Sequence, residues 1–503
     1  MQNNYDRDMG WAFSTTSKGQ TVYSLLANPG TRTPAINAST LAAYSRSAKS
    51  IPELLAQRKE KGVDGAEVID KIISTYNHPS VMGLGHLSVA MEGVDCITSM
   101  QFFYNHHLQD GQERSTRFQN FSKGRQYAPC PIEDANGEYC RVLDYWLDGF
   151  EYFYPKVEKF LKGVFEVDDT CPALNPRTLD CVRYLVPMGI STSVGAIQNG
   201  REWSKYISYL HTNGQVELAQ AMELLLKDGW DGYTPEGDVL IKYTEEWDSP
   251  IQSLADKVHG GCTTYWDIGT PIDIVNTFQV MRPGDMEYFQ GADPLLVHLH
   301  LLNHPHCNNG VIHDDAGVAE GLEAYSWKHE MGPIGSSGLV GIHGMADLGT
   351  LKDLNRHRSS PAFMPILHSE GNVQVELEQG AYTIHPYLVG TYIGDEMCSY
   401  IENGYKMVRA YIHMIDLSCS DKLRNRTIKN LLPHAHVTPY VFYGSASTFM
   451  TYICNLRVRP GGHMAYRLLV QAWAQEIASK WLLWSELVPD KPTFSRAEFM
   501  DRS

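Results

Sequence analysis

Two stretches of this sequence concentrate groups that can grip a polar ligand. Gln112-Glu113-Arg114-Ser115-Thr116-Arg117-Phe118 packs a carboxylate, hydroxyls and two guanidinium groups into a run with no regular period, the composition of a ligand-binding loop. Arginine forks bind phosphate bidentately, and Ser and Glu can address the polar edge of a ring. The competing reading is a solvated salt-bridge loop, which contributes little. The second stretch is Arg356-His357-Arg358. It follows Met345, Leu348, Leu351 and Leu354 at helical spacing and runs into Pro361, which disfavours helical geometry at the residue before it. The spacing therefore predicts cations at a helix C-terminus, where they either complement the helix dipole, at about 0.3–1 kcal/mol each, or hold a ligand. Helical residues i and i+2 point about 200° apart, so the two arginines could address different ligands.

Other constellations carry less. His298, His300, His304, His306 and Cys307, with His313-Asp314-Asp315 soon after, are dense enough to raise a metal site, but their spacing is poor for a zinc finger and no metal is expected. His434 and His436 flank a proline-started turn and read as local hydrogen-bonding groups. Gly332 to Gly341 is glycine-rich but lacks the lysine of a phosphate-binding loop.

These groups must be positioned by a large acidic chain: 503 residues, 42 Lys+Arg against 58 Asp+Glu, net charge −16, 43% hydrophobic. That length implies two or three units able to bury a core. The acidic balance argues against a nucleic-acid polymer as partner, since such binders need a basic excess to displace counterions. The start, MQNNYDRDMGWAFSTT, lacks the pattern of a signal peptide. Leu431 to Leu456 is free of charged residues but holds prolines, histidines and hydroxyl residues, so it reads as buried core and loop, not a membrane span. Ten cysteines without one C-x-x-C fit reduced thiols and a cytoplasmic location.

Breaker-rich stretches at Asp168–Pro176, Asp231–Gly237 and His259–Pro271 punctuate the chain; the last divides it into units 1–260 and 261–503. The two repeat a pattern. Val182-Arg183-Tyr184-Leu185-Val186-Pro187 is echoed by Arg426-Thr427-Ile428-Lys429-Asn430-Leu431-Leu432-Pro433. Each is followed by a Ser/Thr-rich stretch, a glycine turn (Asn213-Gly214, Gly461-Gly462) and a helical stripe: Val216, Leu218, Ala219, Met222, Leu225 and then Leu468, Leu469, Ala472, Trp473, Ile477.

On these motifs the chain resembles the flavin-dependent thymidylate synthases, whose signature is R-H-R-x-x-S-x-N-E-x-S-x-R-Y. Asn105 to Phe118 keeps the E-x-S-x-R part as Glu113, Ser115 and Arg117 and lacks R-H-R. The second unit keeps Arg356-His357-Arg358 and has Met364, Ile366 and His368 where Glu, Ser and Arg would follow. The first keeps Arg183 before Pro187 and Asn199-Gly200-Arg201 but has Leu210 at a later arginine position. The second has Lys429 and Ala446-Ser447-Thr448 at those places yet Arg457 at the last. Gly85-His86-Leu87-Ser88 resembles a further family element. The matches run through most of residues 80–480, and the losses are complementary, as in a tandem duplication in which one composite site draws on both copies.

The resemblance implies an α+β fold of two homologous domains, each a mixed sheet with packed helices, and reductive methylation of dUMP to dTMP with FAD, methylenetetrahydrofolate as carbon donor and NADPH as reductant. Arg356, His357, Arg358, Asn199, Arg201 and Ser88 would hold the flavin. Ser115, Arg117, Arg183 and Asp353 would hold the nucleotide, Asp353 standing where relatives often have glutamine. Arg457, Glu113 and His86 would serve the chemistry. Lys429 and His106 in place of arginines leave open a hydroxymethylase or methylase of another pyrimidine nucleotide, or a non-catalytic nucleotide-binding paralogue. Single-domain relatives resemble homotetramers, so a homodimer imitating a tetramer is implied.

Overall fold

A computed structural model describes residues 2–6, 11–26, 33–44, 47–63, 65–76, 79–105, 109–117, 121, 126–134, 136–231, 233–235, 237–241, 272–277, 279–282, 285–288, 339–357, 362–367, 381–415, 419–445, 448–480, 485 and 487–501. The His298–Asp315 cluster, the breaker stretch at 259–271, and His106, Phe118, Arg358 and His368 lie outside the described residues.

The first unit opens with strands β1 (Gln2–Asp6), β2 (Trp11–Thr15) and β3 (Thr21–Leu25) and helices α1 (Pro34–Tyr44), α2 (Ile51–Glu60) and α3 (Gly65–Tyr76). It continues through β4 (His86–Val94), α4 (Cys96–Asn105), β5 (Gln109–Glu113), α5 (Glu138–Phe165), α6 (Leu174–Val182), β6 (Thr192–Asn199), α7 (Gly200–Thr212), α8 (Val216–Glu223) and α9 (Asp238–Ile241). Its six strands form one sheet in the order β1-β2-β3-β4-β6-β5. Strict alternation in β2 and β4 turns Ala12, Leu87, Val89 and Met91 onto one face, where Trp203, Ile207 and Leu210 of α7 and Leu218 and Met222 of α8 complete a core.

The second unit contributes β7 (Ile272–Thr277), β8 (Gln279–Arg282), β9 (Asp285–Tyr288), β10 (Leu339–Asp347), α10 (Leu348–Leu354), β11 (Ala362–Phe363), α11 (Tyr392–Met414), α12 (Asp421–Leu431), β12 (Val437–Gly444), α13 (Asn455–Arg457), α14 (Met464–Lys480) and α15 (Arg496–Met500). Its larger sheet runs β11-β12-β10-β7. Every described strand pair in the molecule is antiparallel, which corrects the expected mixed sheets: the helical excursions between paired strands return the chain to the end it left. Two local expectations also change. Met345 belongs to β10 and is exposed, because Asp347 caps α10 by accepting from Thr350 N at 2.7 Å and starts the helix at Leu348. Val216, first in α8, is likewise exposed while Leu218, Ala219 and Met222 are buried.

The order strand, helix, long helix, helix, strand occurs twice, as β4-α4-α5-α6-β6 with β5 inserted and as β10-α10-α11-α12-β12 with β11 inserted. The long helices α5 and α11 cross closely. Added Cβ atoms at Gly149 and Gly404 would strike Tyr400 and Trp146, so a glycine on each helix seats an aromatic of the other. The two prolines of the repeated motif meet at the seam, Pro187 bridging Pro433. Neither proline can donate, so the residues after them do, reciprocally: Met188 N to Leu432 O at 2.8 Å and His434 N to Val186 O at 2.9 Å. One apolar core, with Trp146, Phe150, Leu185, Leu351, Ile401 and Leu431, runs through both units.

Candidate functional site

The seam brings groups from the two halves of the chain together. Glu113 ends β5 and turns inward, fully engaged. Its Oε1 accepts from Arg356 Nε at 2.8 Å and lies 2.7 Å from Arg356 Nη2; its Oε2 lies 2.6 Å from Lys352 Nζ and accepts from Ser99 Oγ at 2.5 Å. Burial disfavours the charge of Glu113, but Lys352 and Arg356 with the hydrogen bonds outweigh it and hold the carboxyl below the usual carboxylate range. Past Glu113 the chain remains extended long enough for Arg114 N to donate to Ser193 O at 2.9 Å, and Ser115 Oγ then accepts from Arg117 N at 3.3 Å.

Arg117 reaches across to the second unit. Its Nε and Nη2 fork onto Asp180 at 2.6 and 2.8 Å, while Nη1 and Nη2 also donate to Tyr466 Oη and Gly461 O, both at 3.3 Å. Arg177 fixes the same corner by donating to Gly462 O at 2.7 Å and Pro460 O at 2.5 Å. A Cβ at Gly462 would press on the Tyr466 ring, which accounts for glycine in this turn; Gly214, in the corresponding turn of the first unit, is required by its φ of 74°. Arg183, one residue past α6, donates through Nη2 to Asp353 Oδ2 at 2.9 Å and is 1% exposed; among the described residues its buried Nε and Nη1 have no hydrogen-bond partner.

Arg356 follows the helix cap Asn355, so it leaves α10 instead of continuing it. Its side chain remains 26% exposed. His357 N returns to Leu354 O at 3.1 Å, and burial, then Arg457 and Arg356, holds the imidazole neutral, well below its ordinary pKa. A neutral ring accepts at one nitrogen, and His357 Nε2 accepts from Arg457 Nε at 2.5 Å. Arg457 Nη2 donates to Asp353 O at 2.8 Å. A π-helical stretch, Thr448–Cys454, leads into α13 and delivers Arg457 here, as such irregular helices often do at functional sites.

Among the described residues, Arg117, Arg177, Arg183, Lys352, Arg356 and Arg457 therefore outnumber the carboxylates Glu113, Asp180 and Asp353. Excess cations and orphaned arginine donors fit an anionic, oxygen-rich ligand such as a nucleotide. Lys352, Ser99, Asp180, Arg177 and Tyr466 were missed in the sequence. The signal for two of them was a charge inside an apolar stripe, Lys352 in the wholly buried α10 and Asp180 three residues before Arg183.

The remaining expected residues sit elsewhere. His86 begins β4, exposed, opposite Asn199, which caps α7 by accepting from Glu202 N at 3.0 Å; Arg201 is the second residue of that helix. Ser88 lines a shallow depression of about 460 Å³ with Leu25, Ala90, Gly111, Gly195 and Ile197. Glu113 pairs with Val194 and His86 with Asn199 on opposite sides of β6, five residues apart, about 17 Å along the strand, while Ser88 pairs with Ile197, three residues and about 10 Å away. His434 and His436 are hydrogen-bonding groups as expected, but their partners are distant in sequence and not local: His434 Nδ1 meets Val186 O across the seam at 2.6 Å and His436 Nδ1 meets Tyr405 Oη at 2.9 Å. Among the described residues no metal-binding group of three occurs, no helix is long and apolar enough to cross a membrane, and the eight described cysteines are free thiols.

Buried histidines make a pH prediction. Burial, reinforced by the nearby arginines, depresses His385 and His434 to about 3. A depressed folded pKa contributes stability above the unfolded value, about 6.5, that is lost as pH falls toward 3. Asp180 and Asp353, also depressed, add their loss only below about pH 4. The urea midpoint should therefore begin to fall below pH 6.5 and steepen below 4; a flat midpoint from pH 7 to 4.5 would contradict neutral buried histidines.

Residues 28–229 match the family model described as thymidylate synthase complementing protein. A UPF0159 protein of Chlamydia pneumoniae is 20% identical over 458 residues, 82% of this chain and 78% of its own length. The chain also aligns with two structures of the flavin-dependent thymidylate synthase of Helicobacter pylori with FAD and dUMP, at 12% identity and TM-scores of 0.27 and 0.24, covering 43% and 42% of this chain and 96% and 95% of those.

Proposed function

We propose that this protein is a tandem-duplicated flavin-dependent thymidylate synthase, converting dUMP to dTMP with methylenetetrahydrofolate and NADPH. The observation that carries the reading is the meeting of Glu113, Arg117 and Arg183 from residues 1–260 with Arg356, His357 and Arg457 from residues 261–503. Bound FAD would supply the reducing equivalents that turn a transferred one-carbon unit into methyl. The chain's own residues bind and orient: Arg117, Arg183 and Ser115 face the nucleotide, Arg356 and His357 the flavin, and Arg457 stabilises negative charge on the pyrimidine as C5 becomes nucleophilic. Formation of dTMP from dUMP by the purified protein, identified by product mass, tests the reading, and no nucleotide product with flavin bound would defeat it. The buried Asp353 carboxylate on Arg183 favours a second reading, a pyrimidine nucleotide other than dUMP, which the same mass would identify.

Along β6 the His86–Asn199 pair stands about 17 Å and Ser88 about 10 Å from the Glu113–Val194 pair, which supports a flavin site completed across a homodimer. Flavin contact with Arg356 is expected to be charge-assisted, so Arg356→Ala should weaken FAD binding tenfold or more, about 1.5–3 kcal/mol; unchanged affinity in a fluorescence titration would remove Arg356 from the flavin site.

One FAD per chain is expected. At the complementary site Met364 and Ile366, in place of Glu and Ser, are wholly buried in the apolar core, and Lys429 is buried as well. Flavin absorbance against protein concentration after desalting measures the ratio, and two tightly held flavins per chain would contradict the division of labour.

A further inference from the structure

All seven residues of α10 are buried, and one of them is Lys352, whose side chain is 0% exposed. A lysine in such a helix gives up hydration that an apolar residue of equal volume would not need, so burial alone does not account for it. Its carboxylate partner is Glu113, from the other unit, at 2.6 Å. The geometry divides the work on that carboxylate: Lys352 and Ser99 take Oε2, leaving Oε1 to the Nε and Nη2 side of Arg356. We infer that Lys352 is a positioning residue of the composite site, fixing the Glu113 carboxylate as a charged acceptor and thereby holding the Arg356 guanidinium toward the ligand.

Glu113 is in this arrangement an anchor and not a proton carrier. Both its oxygens are occupied, and the groups around it are Lys352 and Arg356 as cations, the Ser99 hydroxyl, and Cys96, whose thiol burial pushes up to about 12 and keeps protonated. Asp353 stands beyond Arg356, 4.0 Å from its Nη2. Removing the ammonium group leaves the buried carboxylate with Arg356 alone as cation, so Glu113 should then take up a proton in the pH range where the wild type has none to take.

The placement of Arg356 toward flavin rests on the proposed function, but the titration of Glu113 does not, so the two can fail separately. The experiment compares the wild type, Lys352→Met, Lys352→Arg and the double variant Lys352→Met/Glu113→Gln by urea midpoint from pH 5 to 8 and by FAD titration. A Glu113 pKa raised above its unfolded value gives stability at low pH that is lost as pH rises through it. Relative to the wild type, Lys352→Met should therefore lose stability progressively from pH 5 to 8, superimposed on the histidine-dependent rise up to pH 6.5 that both share, and bind FAD about tenfold more weakly at pH 8. Lys352→Arg should restore both. The double variant should recover the midpoint at pH 8 and run parallel to the wild-type profile. If Lys352→Met does not fold, the double variant still decides: the proposal requires it to fold. A Lys352→Met profile parallel to the wild type, or a double variant no more stable than the single, overturns it. Absence of FAD binding by the wild type would instead defeat the proposed function and leave the pH comparison standing.

Discussion

Arg457→Ala is expected to slow turnover by about 10²–10³ while leaving the nucleotide bound, the loss typical of one preorganised charge-stabilising donor. The guanidinium is held before any ligand arrives, by His357 Nε2 at 2.5 Å, by Asp353 O at 2.8 Å and over the Tyr466 ring at 5.3 Å. A group so fixed need not reorganise as charge develops on the pyrimidine. Tritium release from C5-labelled dUMP measures the step, and nucleotide affinity measured separately distinguishes lost catalysis from lost binding. An unchanged rate would take Arg457 out of the site and undo the composite model.

Asp353→Ala should be the most damaging single change to stability in the seam, at about 3–5 kcal/mol, because it leaves Arg183 buried without its counter-ion. Arg183 is 1% exposed, its Nε and Nη1 have no hydrogen-bond partner among the described residues, and its other acceptor, Gly349 O, lies at 3.4 Å. Asp353→Asn keeps an acceptor and should cost less. Urea unfolding with the usual linear extrapolation reads the difference, and a loss under 1 kcal/mol for the alanine variant would mean that Arg183 finds another partner. Since Arg183 belongs to the first unit and Asp353 to the second, the same variant tests whether the two unfold together.

Local chemistry was legible where it depends on neighbours in sequence. The Glu113-Ser115-Arg117 loop, the cations after α10, the paired proline motifs and the glycine turns are all where their residue types demand, since a cap, a missing donor or a positive φ acts within a few residues. The end of α10 shows the limit of that reading. Leucine spacing extended the helix back to Met345, but Asp347 bonds to Thr350 N and starts it later, and Arg356 sits beyond its cap, so its direction is set by Glu113 and not by helical phase.

What the sequence determined by itself was therefore the inventory: which candidate groups lie in each half of the chain, an acidic chain with local basic clusters, and the repeated proline motif, glycine turn and helical stripe. Which groups meet was decided by tertiary structure alone. Glu113 and Lys352 are paired across 239 positions of sequence only because Pro187 and Pro433 bridge the units and α5 and α11 cross at Gly149 and Gly404. Periodicity and propensity report on the few residues around each position, whereas charge pairing in a low-dielectric seam depends on distance through space. The same limit separates the two groups along β6: His86 and Asn199 pair five residues, about 17 Å, from the Glu113–Val194 pair, and Ser88 three residues, about 10 Å, distances set by strand rise and register.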